Sequence, residues 1–418
     1  MTQAFSDMLY LFSCAAHGVQ PEKKTDMDLD EIYHKAASQG ILPLVLTSLK
    51  ELYMNDGVII CGTPLEEHIK RLRMQALNNI QRGYIIRNAI KQLADNGISC
   101  CVLKGDTVAV LYHNPDCRIS NDTDVYIDTD EKDTIKKAKG IFEENGFKFG
   151  EDQPDSHHFN GYHMIAGHLE LHHSLFRELY SDVWFDNKTT LADPFQIVKT
   201  PIGIMIPALG VSDGLKYTYL HMVKHFLRGG IGIRPLMDVL LYIKHYKDVI
   251  DIDSFYRLTR HLKYDNFLNC ITYIGIKYLG FKNGDLLPYK CDDAIAERVL
   301  TDIEAGGLFG QNEAWRFNFH MVYNEQRFYR FKSEDYTEYM KTMTTESPES
   351  PAKRFFKKRY RLMKEYKYVA KHKFLLPIAW IHRAFKFLRV LLPWNRNRVV
   401  HSKKAKKRMD LIHELEMI

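Results

Sequence analysis

The sequence predicts an α+β fold, in which a small mixed sheet with helices is flanked by helical N-terminal and C-terminal parts. Up to about residue 97, apolar side chains recur at intervals of three and four residues, which is the period of amphipathic helices. Short alternating runs then replace that pattern and predict strands. The predicted organisation is a helical N-terminal region (1–97), an α/β core (98–207), a helical C-terminal domain (208–343), and a linker with a basic amphipathic tail (344–418).

Start and stop signals support the helices of the N-terminal region. The segment DLDEIYHKAASQ opens with Asp28 as a candidate N-cap and is followed by Gly40. LPLVLTSLKELY continues the helical pattern. The long segment that starts at Pro64 reaches Asn96 and Gly97, and this Pro-first, Gly-last order is typical of a helix.

The α/β core follows from a series of short runs between turn residues. ISCCVLKG predicts the first strand, DTVAVLYH a short helix and TDVYID the second strand. EKDTIKKAKGIFEENG predicts a helix that ends at Gly146. HHFNGYHMIAG and HLELHHSLF alternate like adjacent antiparallel strands, GIMIPAL predicts a last strand, and helices return from Ser212.

Composition places the chain among ordinary globular proteins. Its 418 residues are 45% hydrophobic and 26% charged, and this length favours two or three structural units. The seven cysteines include no C-x-x-C pair, which favours reduced thiols and a cytoplasmic location over a disulfide framework. A secretory signal is not expected, because the first residues lack an early Lys or Arg and MLYLF is short.

The charge is strongly uneven along the chain. Residues 353–408 hold 20 Lys and Arg and a single acid, Glu365, so this segment carries a net charge of +19. Because the whole chain carries only +6, the remaining residues are acidic overall. Within it, LLPIAWIHRAFKFLRVLLPW combines a basic and an apolar helical face. Such a tail predicts an anionic partner, either a membrane surface or RNA, with packing on the acidic body as the alternative. A membrane partner would place the protein at the inner face of the membrane.

Two aspartates mark the start of the second predicted strand. Side chains alternate across a strand, so Asp122 and Asp124 share one face. The same rule places His168, Glu170 and His172 together in HLELHHSLF. Three carboxylates on rigid strands suit Mg²⁺ and transfer at phosphorus, although a D-x-D pair by itself is more often a turn or cap.

Residues around the first strand are candidates for binding phosphate. Lys104 and Gly105 end a strand and open a helix, where backbone N–H groups and a lysine can hold a triphosphate. Arg118 and Ser120 precede the aspartates. Arg118 would clamp a phosphate or pair with an acid, and the sequence favours neither alternative.

The ordered set of K-G after a strand, then R-x-S-x-D-x-D, then E-x-H in a later strand resembles the uncharacterised nucleotidyltransferase-like family of bacteria, within the DNA polymerase β-like nucleotidyltransferase superfamily. VLKGDTVAVLYHNPDCRISNDTDVYI and HLELHHSLF carry the likeness. YLHMVKHFLRGGIGIRPLMDVLLYI resembles the family's downstream helices, so the resemblance covers roughly residues 5–340.

The resemblance implies a minimal nucleotidyltransferase core, an NTP donor, an unidentified acceptor, and Mg²⁺ with Mn²⁺ as an alternative. Asp122 and Asp124 would be the metal-binding pair, and Glu170 would be the third carboxylate, closest to the base that deprotonates the acceptor. The superfamily's usual Gly-Ser after the first strand is absent here, as in this family and in abortive-infection nucleotidyltransferase toxins. Phosphate binding would then rest on Lys104, Gly105 and Thr107, beside an unfavourable Asp106.

Other polar residues have two interpretations each. The resemblance implies that the helical half closes over the nucleotide, so that Lys224, His225 or Asp238 would reach it; packing, and an Arg234–Asp238 helix ion pair, are equally expected. His172 is predicted to support Glu170 or contact substrate. The histidines at 157, 158, 163, 168, 172 and 173 do not follow a zinc spacing, so a zinc site is not predicted.

The chemistry predicted from these residues is metal-dependent transfer of a nucleoside monophosphate to a hydroxyl or amine, releasing pyrophosphate. Surface-polysaccharide or small-molecule biosynthesis fits a membrane-binding tail. The alternatives are a toxin-like enzyme acting on tRNA, which the K-G motif and basic tail favour, and a non-catalytic nucleotide-binding or scaffold protein. The sequence indicates neither the base, the acceptor nor the oligomeric state.

Overall fold

The computed structural model describes residues 1–22, 26–55, 64–120, 122–150, 157–175, 191, 193–313, 316, 377–378, 380–382 and 396–417. The chain forms two compact units: the first comprises Met1–His320 with Leu411–Met417, and the second comprises Met321–Asp410 with Ile418. The segments 317–376 and 383–395, which carry most of the predicted linker and basic tail, lie outside the described residues. The predicted domain boundaries stay predictions.

Four helices open the first unit, and local capping explains both ends of the first and the start of the second. Thr2 accepts a hydrogen bond from the backbone N–H of Phe5, and Gly18 ends the first helix in the left-handed conformation. Asp28 caps the second helix, as the sequence predicts, by accepting from Glu31 N. The helices are α1 (Gln3–His17), α2 (Leu29–Ser38), α3 (Leu42–Asn55) and α4 (Pro64–Asp95).

Seven strands of the described chain form one mixed sheet with the order β3-β4-β5-β2-β1-β7-β6. The pairs β2–β5 and β1–β7 are parallel, and the other neighbours are antiparallel. The strands are β1 (Cys100–Val102), β2 (Asp122–Ile127), β3 (Lys148–Phe149), β4 (His158–His163), β5 (Gly167–His172), β6 (Gln196–Lys199) and β7 (Met205–Ala208). The predicted α+β class is therefore confirmed.

Apolar packing fixes one face of the sheet. Alternation along β2 places Val125 and Ile127 in the core, where Leu169 and Leu171 of β5 join them. Helix α4 and helix α6 (Lys132–Glu144) cover this face, and the fully buried Phe142 of α6 belongs to the same cluster. Because these side chains occupy one face, the polar residues between them on β2 and β5 are directed to the opposite face.

Short elements connect the first two strands. Helix α5 (Asp106–Ala109) begins immediately after Gly105, and a 3₁₀ turn spans Pro115–Cys117. Beyond the sheet follow α7 (Val211–Arg228), α8 (Arg234–Tyr246), α9 (Ile252–His261), α10 (Asp265–Tyr278), α11 (Asp293–Gly306) and α12 (Arg396–Glu414). None of the described helices has both the length and the apolar character needed to cross a membrane.

Candidate functional site

Strand register brings the predicted carboxylates together. In the parallel β2–β5 pair, Asp124 lies opposite Glu170, and Asp122 lies opposite His168. The Asp124 side chain is only 1% exposed, whereas that of Asp122 is 37% exposed. The structure thus places a buried and an accessible aspartate side by side, with the third carboxylate on the neighbouring strand.

Lys104 compensates the charge of both aspartates. Its Nζ lies 2.8 Å from Asp124 Oδ2 and 3.6 Å from Asp122 Oδ2. Burial disfavours the charged lysine, but the two carboxylates outweigh burial and raise the Lys104 pKa. Burial also opposes ionisation of Asp124, yet Lys104 and His172 hold its pKa well below the usual range. The lysine of the K-G motif therefore contacts the aspartate pair directly.

His172 joins the other two members of the acidic cluster. Its Nε2 lies 3.3 Å from Asp124 Oδ1 and 3.3 Å from Glu170 Oε2. Although burial lowers the His172 pKa, hydrogen bonding to these carboxylates raises it overall. Ligand atoms of Asp124, Glu170 and His172 all lie within 4.8 Å of one another. Two carboxylates and an imidazole at this separation fit a divalent cation.

Arg118 and Asp238 bind each other. Arg118 donates from Nε to Asp238 Oδ1 at 3.2 Å and from Nη2 to Oδ2 at 2.7 Å, and Tyr112 adds a 2.7 Å hydrogen bond to Oδ1. All three side chains are buried. Of the two interpretations of Arg118, the structure shows pairing with an acid. Arg234 instead donates to the backbone carbonyl of Ile119 at 2.5 Å, so Asp238 pairs across the fold rather than along its helix.

The loop between β1 and β2 is held by polar contacts to Ser120 and Asp106. Arg82 of α4 donates to the Ser120 carbonyl and to Asp106 Oδ1, each at 2.8 Å. The Asp106 carboxylate, whose charge is unfavourable for phosphate binding, is therefore paired with a guanidinium group. The Ser120 hydroxyl donates to the Asp122 carbonyl at 2.9 Å. Thr107 is buried in α5 and is not among the residues that line the cleft described below.

Gly105 is required by its backbone conformation. Its φ of +81° with ψ of −106° is a combination that favours glycine, and an added Cβ would lie 3.1 Å from Ser120 Oγ. We expect Gly105→Ala to lower the free energy of unfolding by about 2 kcal/mol, measured by urea denaturation. The matched control is Gly140→Ala within α6, where a Cβ meets nothing within 4 Å and should stabilise slightly. Equal stability of the two variants would contradict this assignment.

Residues of helix α7 line the same cleft as the carboxylates Asp122 and Glu170 and form its other wall. The cleft has a volume of about 210 Å³. Burial lowers the Lys224 pKa to about 8, with further repulsion from Lys104 and Arg228 and an opposing attraction from Glu170 and Asp124. The residues that line the cleft are Lys104, Val108, Arg118, Ser120, Asp122, His157, His158, Glu170, Thr218, His221, Met222, Lys224, His225, Arg228, Arg234, Pro235, Asp238 and Phe309.

The cleft includes residues that the sequence analysis did not select. Arg228 lies four residues after Lys224 on α7, so helical periodicity could have found it. Phe309 lies in a turn far along the chain, and its ring centroid is 4.8 Å from that of His225. No sequence motif marks it. Lys224 and His225 line the cleft, and their contact with a nucleotide stays a prediction, whereas Gly105 is not among the lining residues.

Comparison with known proteins bears on this arrangement. A family model described as uncharacterised nucleotidyltransferase matches residues 25–280, which include the whole sheet and helix α7. No curated protein and no solved structure matches the chain. The family match confirms the resemblance and the nucleotidyltransferase-type α+β fold, and it supports nucleotidyl transfer as the general activity. It spans more than half of the 418 residues, and the chain therefore belongs to this uncharacterised nucleotidyltransferase family.

Proposed function

We propose that the protein transfers a nucleoside monophosphate from an NTP to a hydroxyl or amine acceptor and releases pyrophosphate, using Mg²⁺ or, alternatively, Mn²⁺. The observation that carries this proposal is that Asp122 and Glu170 line a cleft whose other wall is basic, with Asp124 buried beside them opposite Glu170. The carboxylates supply hard oxygen ligands, and the basic wall supplies partners for phosphate.

The bound cations would polarise the transferred phosphorus and stabilise the pyrophosphate leaving group. Asp122 and Asp124 would hold them, and Glu170 would complete the donor set and accept the proton of the attacking group. Lys104 compensates the charge of the aspartate pair, since its Nζ lies 2.8 Å from Asp124 Oδ2. With cations held at the pair, Lys104 would be available to contact the triphosphate.

Helix α7 supplies the remaining phosphate contacts. Lys224 and Arg228 line the cleft one helical turn apart, and both lie among its cationic residues. Arg118 and Asp238 serve a different purpose, because their mutual pairing fixes the floor of the cleft. Positioning of the triphosphate between two charged walls provides most of the rate enhancement.

The NTP donor and the free thiols support a cytoplasmic place of action. The six described cysteines are free, which supports a reducing compartment such as the cytoplasm, where NTPs are made. The basic segment 353–408 would recruit the enzyme to an anionic membrane surface or to RNA. Its charge supports these two partners equally, so the described residues do not favour a polysaccharide precursor over tRNA as acceptor.

Thermal unfolding with each of the four NTPs, with and without Mg²⁺, tests the proposal without knowledge of the acceptor. We expect one or more NTPs to raise the melting temperature of the native protein only when Mg²⁺ is present. Ligand at about 100 times its dissociation constant adds about 2.7 kcal/mol, a shift of several degrees. Asp122→Asn should remove the shift, because the accessible aspartate is a cation ligand in the proposed site.

Asp128→Asn is the matched control for that experiment. Asp128 lies just beyond the other end of β2, is exposed, and contacts Tyr126 rather than the cleft. Its variant should keep the Mg²⁺-dependent shift. Absence of a shift with every NTP in the native protein, or a full shift in Asp122→Asn, would contradict the proposed function.

A further inference from the structure

Three imidazoles converge at one end of the β4–β5 pair, beside Glu170. His157 immediately precedes β4, His158 begins it, and His172 ends β5, where the antiparallel register places His172 directly opposite His158. The ring centroids are 4.4 Å apart for His157–His158, 5.2 Å for His157–His172 and 5.0 Å for His158–His172. Each ring thus lies against both of the others.

Nitrogen atoms of the three rings are close enough to share one ion. One ligand atom from each of His157, His158 and His172 lies within 4.8 Å of the others. Glu170 extends the set, since its Oε1 is 3.8 Å from His158 Nε2 and its Oε2 is 3.3 Å from His172 Nε2. The cluster therefore offers up to three nitrogen donors and a carboxylate, of which His157, His158 and Glu170 also line the cleft.

His172 has partners at both of its ring nitrogens. Its Nδ1 faces the backbone carbonyl of Ser174 at 3.4 Å, while its Nε2 faces Asp124 Oδ1 and Glu170 Oε2, both at 3.3 Å. All of these partners are acceptors, and a neutral imidazole carries one N–H. An ion held at Nε2 would leave the Nδ1 N–H to donate to the Ser174 carbonyl. A backbone carbonyl at the other nitrogen is the usual outer partner of a metal-bound histidine.

We propose that His157, His158, His172 and Glu170 form a binding site for a divalent transition-metal ion, such as Zn²⁺ or Co²⁺. Imidazole nitrogen suits these ions, whereas Mg²⁺ prefers oxygen, so the cluster and the Asp122–Asp124 pair differ in metal preference. The two sites share Glu170, but binding at the histidines does not require that the protein transfers nucleotides.

The linear spacing conceals this site. A zinc pattern in sequence relies on ligands that lie close together in a loop or on one helix, whereas these histidines come from two strands. Position 172 is 14 residues beyond 158, and only the register of the β4–β5 pair brings them together. The absence of a zinc spacing in the sequence is therefore no argument against the site.

Titration of the full-length, chelator-treated protein with Co²⁺ tests the proposal. We expect one equivalent of Co²⁺ to produce visible d–d absorption bands that persist in a large excess of Mg²⁺ and disappear when Zn²⁺ is added. The spectrum should lack a near-ultraviolet thiolate charge-transfer band, which would instead indicate the Cys270–Cys291 pair, whose sulfurs lie 3.3 Å apart. Absence of Co²⁺ bands, a thiolate spectrum, or displacement by Mg²⁺ would overturn the proposal.

Substitutions then locate the ion. His158→Gln and His157→Gln should each weaken Co²⁺ affinity more than about 100-fold, beyond the 10- to 100-fold typical of outer-shell partners. His168→Gln is the matched control, because this exposed histidine of β5 packs on Tyr162 outside the cluster. Circular dichroism of the metal-free variants separates ligand loss from unfolding. Native-like affinity in either cluster variant would overturn the assignment.

A further comparison keeps this site separate from the proposed function. Asp122→Asn should retain Co²⁺ binding although it removes the Mg²⁺-dependent NTP shift, because Asp122 is outside the histidine cluster. Conversely, a protein that binds Co²⁺ as described but shows no NTP shift would refute nucleotidyl transfer and leave the metal site standing. Loss of Co²⁺ in Asp122→Asn would overturn the histidine assignment.

Discussion

Asp124→Asn is expected to reduce nucleotidyl transfer about 10³-fold and also to destabilise the fold. The lost rate corresponds to about 4 kcal/mol of transition-state stabilisation, which is the size expected when a cation loses a carboxylate ligand. The lost stability has a separate origin. Asp124 is buried against Lys104 and His172, so its neutralisation leaves a buried ammonium group with less compensation. We expect the free energy of unfolding to fall by about 3 kcal/mol, the lower end of the range for a broken buried ion pair. The loss is limited because Asp122 Oδ2 still lies 3.6 Å from Lys104 Nζ.

Comparison with Asp122→Asn separates the two effects. Asp122 is partly exposed and lies farther from Lys104, so its variant should lose transfer to a similar degree while keeping most of its stability. Transfer is measured as label from α-³²P-NTP that enters acceptors in a cell extract, and stability by urea denaturation. Asp128→Asn, just beyond the end of the same strand, should change neither quantity. Undiminished transfer in Asp122→Asn would contradict the roles given to both aspartates.

Much of the fold could be predicted because local rules determine it. Capping by Asp28 and the apolar period of the N-terminal segments predicted helices that the structure shows. Alternation along TDVYID and HLELHHSLF predicted β2 and β5 and the faces of their side chains. The edge strand β3, with two residues, and β6 were not predicted, because such short strands depend on pairing with a neighbour rather than on their own pattern.

The site could be predicted only as far as single elements determine it. The sequence placed Asp122 with Asp124 on one face, but which strand lies beside β2 depends on the complete sheet. The pairing of Arg118 with Asp238 joins positions 120 residues apart, and the contact of Lys104 with Asp124 depends on where β1 ends. Long polar side chains find their partners through tertiary packing, so residue spacing alone left Arg118 and Asp238 with two interpretations each.

Asp238→Ala is expected to lower the free energy of unfolding by about 3–5 kcal/mol, the largest effect on stability that we predict. The substitution removes both acceptors of Arg118 and the acceptor of Tyr112, and it leaves a guanidinium buried without its counter-charge. Urea denaturation measures the change. The matched control is Asp95→Ala, which breaks an exposed Lys91–Asp95 pair within one helix and should cost less than about 0.5 kcal/mol.

The double variant Arg118→Met/Asp238→Leu tests the reason for that loss. If the cost comes from an uncompensated buried charge, removing both charges should restore much of the stability, because apolar replacement of a buried ion pair is often close to neutral. The summed losses of stability in the two single variants would then exceed the loss in the double variant. Additive losses would show that Asp238 stabilises the protein through packing instead.

The pH dependence of stability gives an independent measure of the same ion pair. Burial opposes ionisation of Asp238, but Arg118 outweighs burial and holds the Asp238 pKa below its usual value. The stabilisation from the ionised Asp238 carboxylate is therefore complete above about pH 4, the ordinary pKa of this carboxyl group in an unfolded chain. It is lost as the pH falls through the lower pKa that Asp238 has in the folded protein. Below pH 4, the unfolding free energy should fall less steeply in Asp238→Ala than in the native protein. Parallel curves would mean that the Asp238 carboxylate gains nothing from Arg118, and the cost of its removal would then have to come from the lost Tyr112 hydrogen bond and from packing.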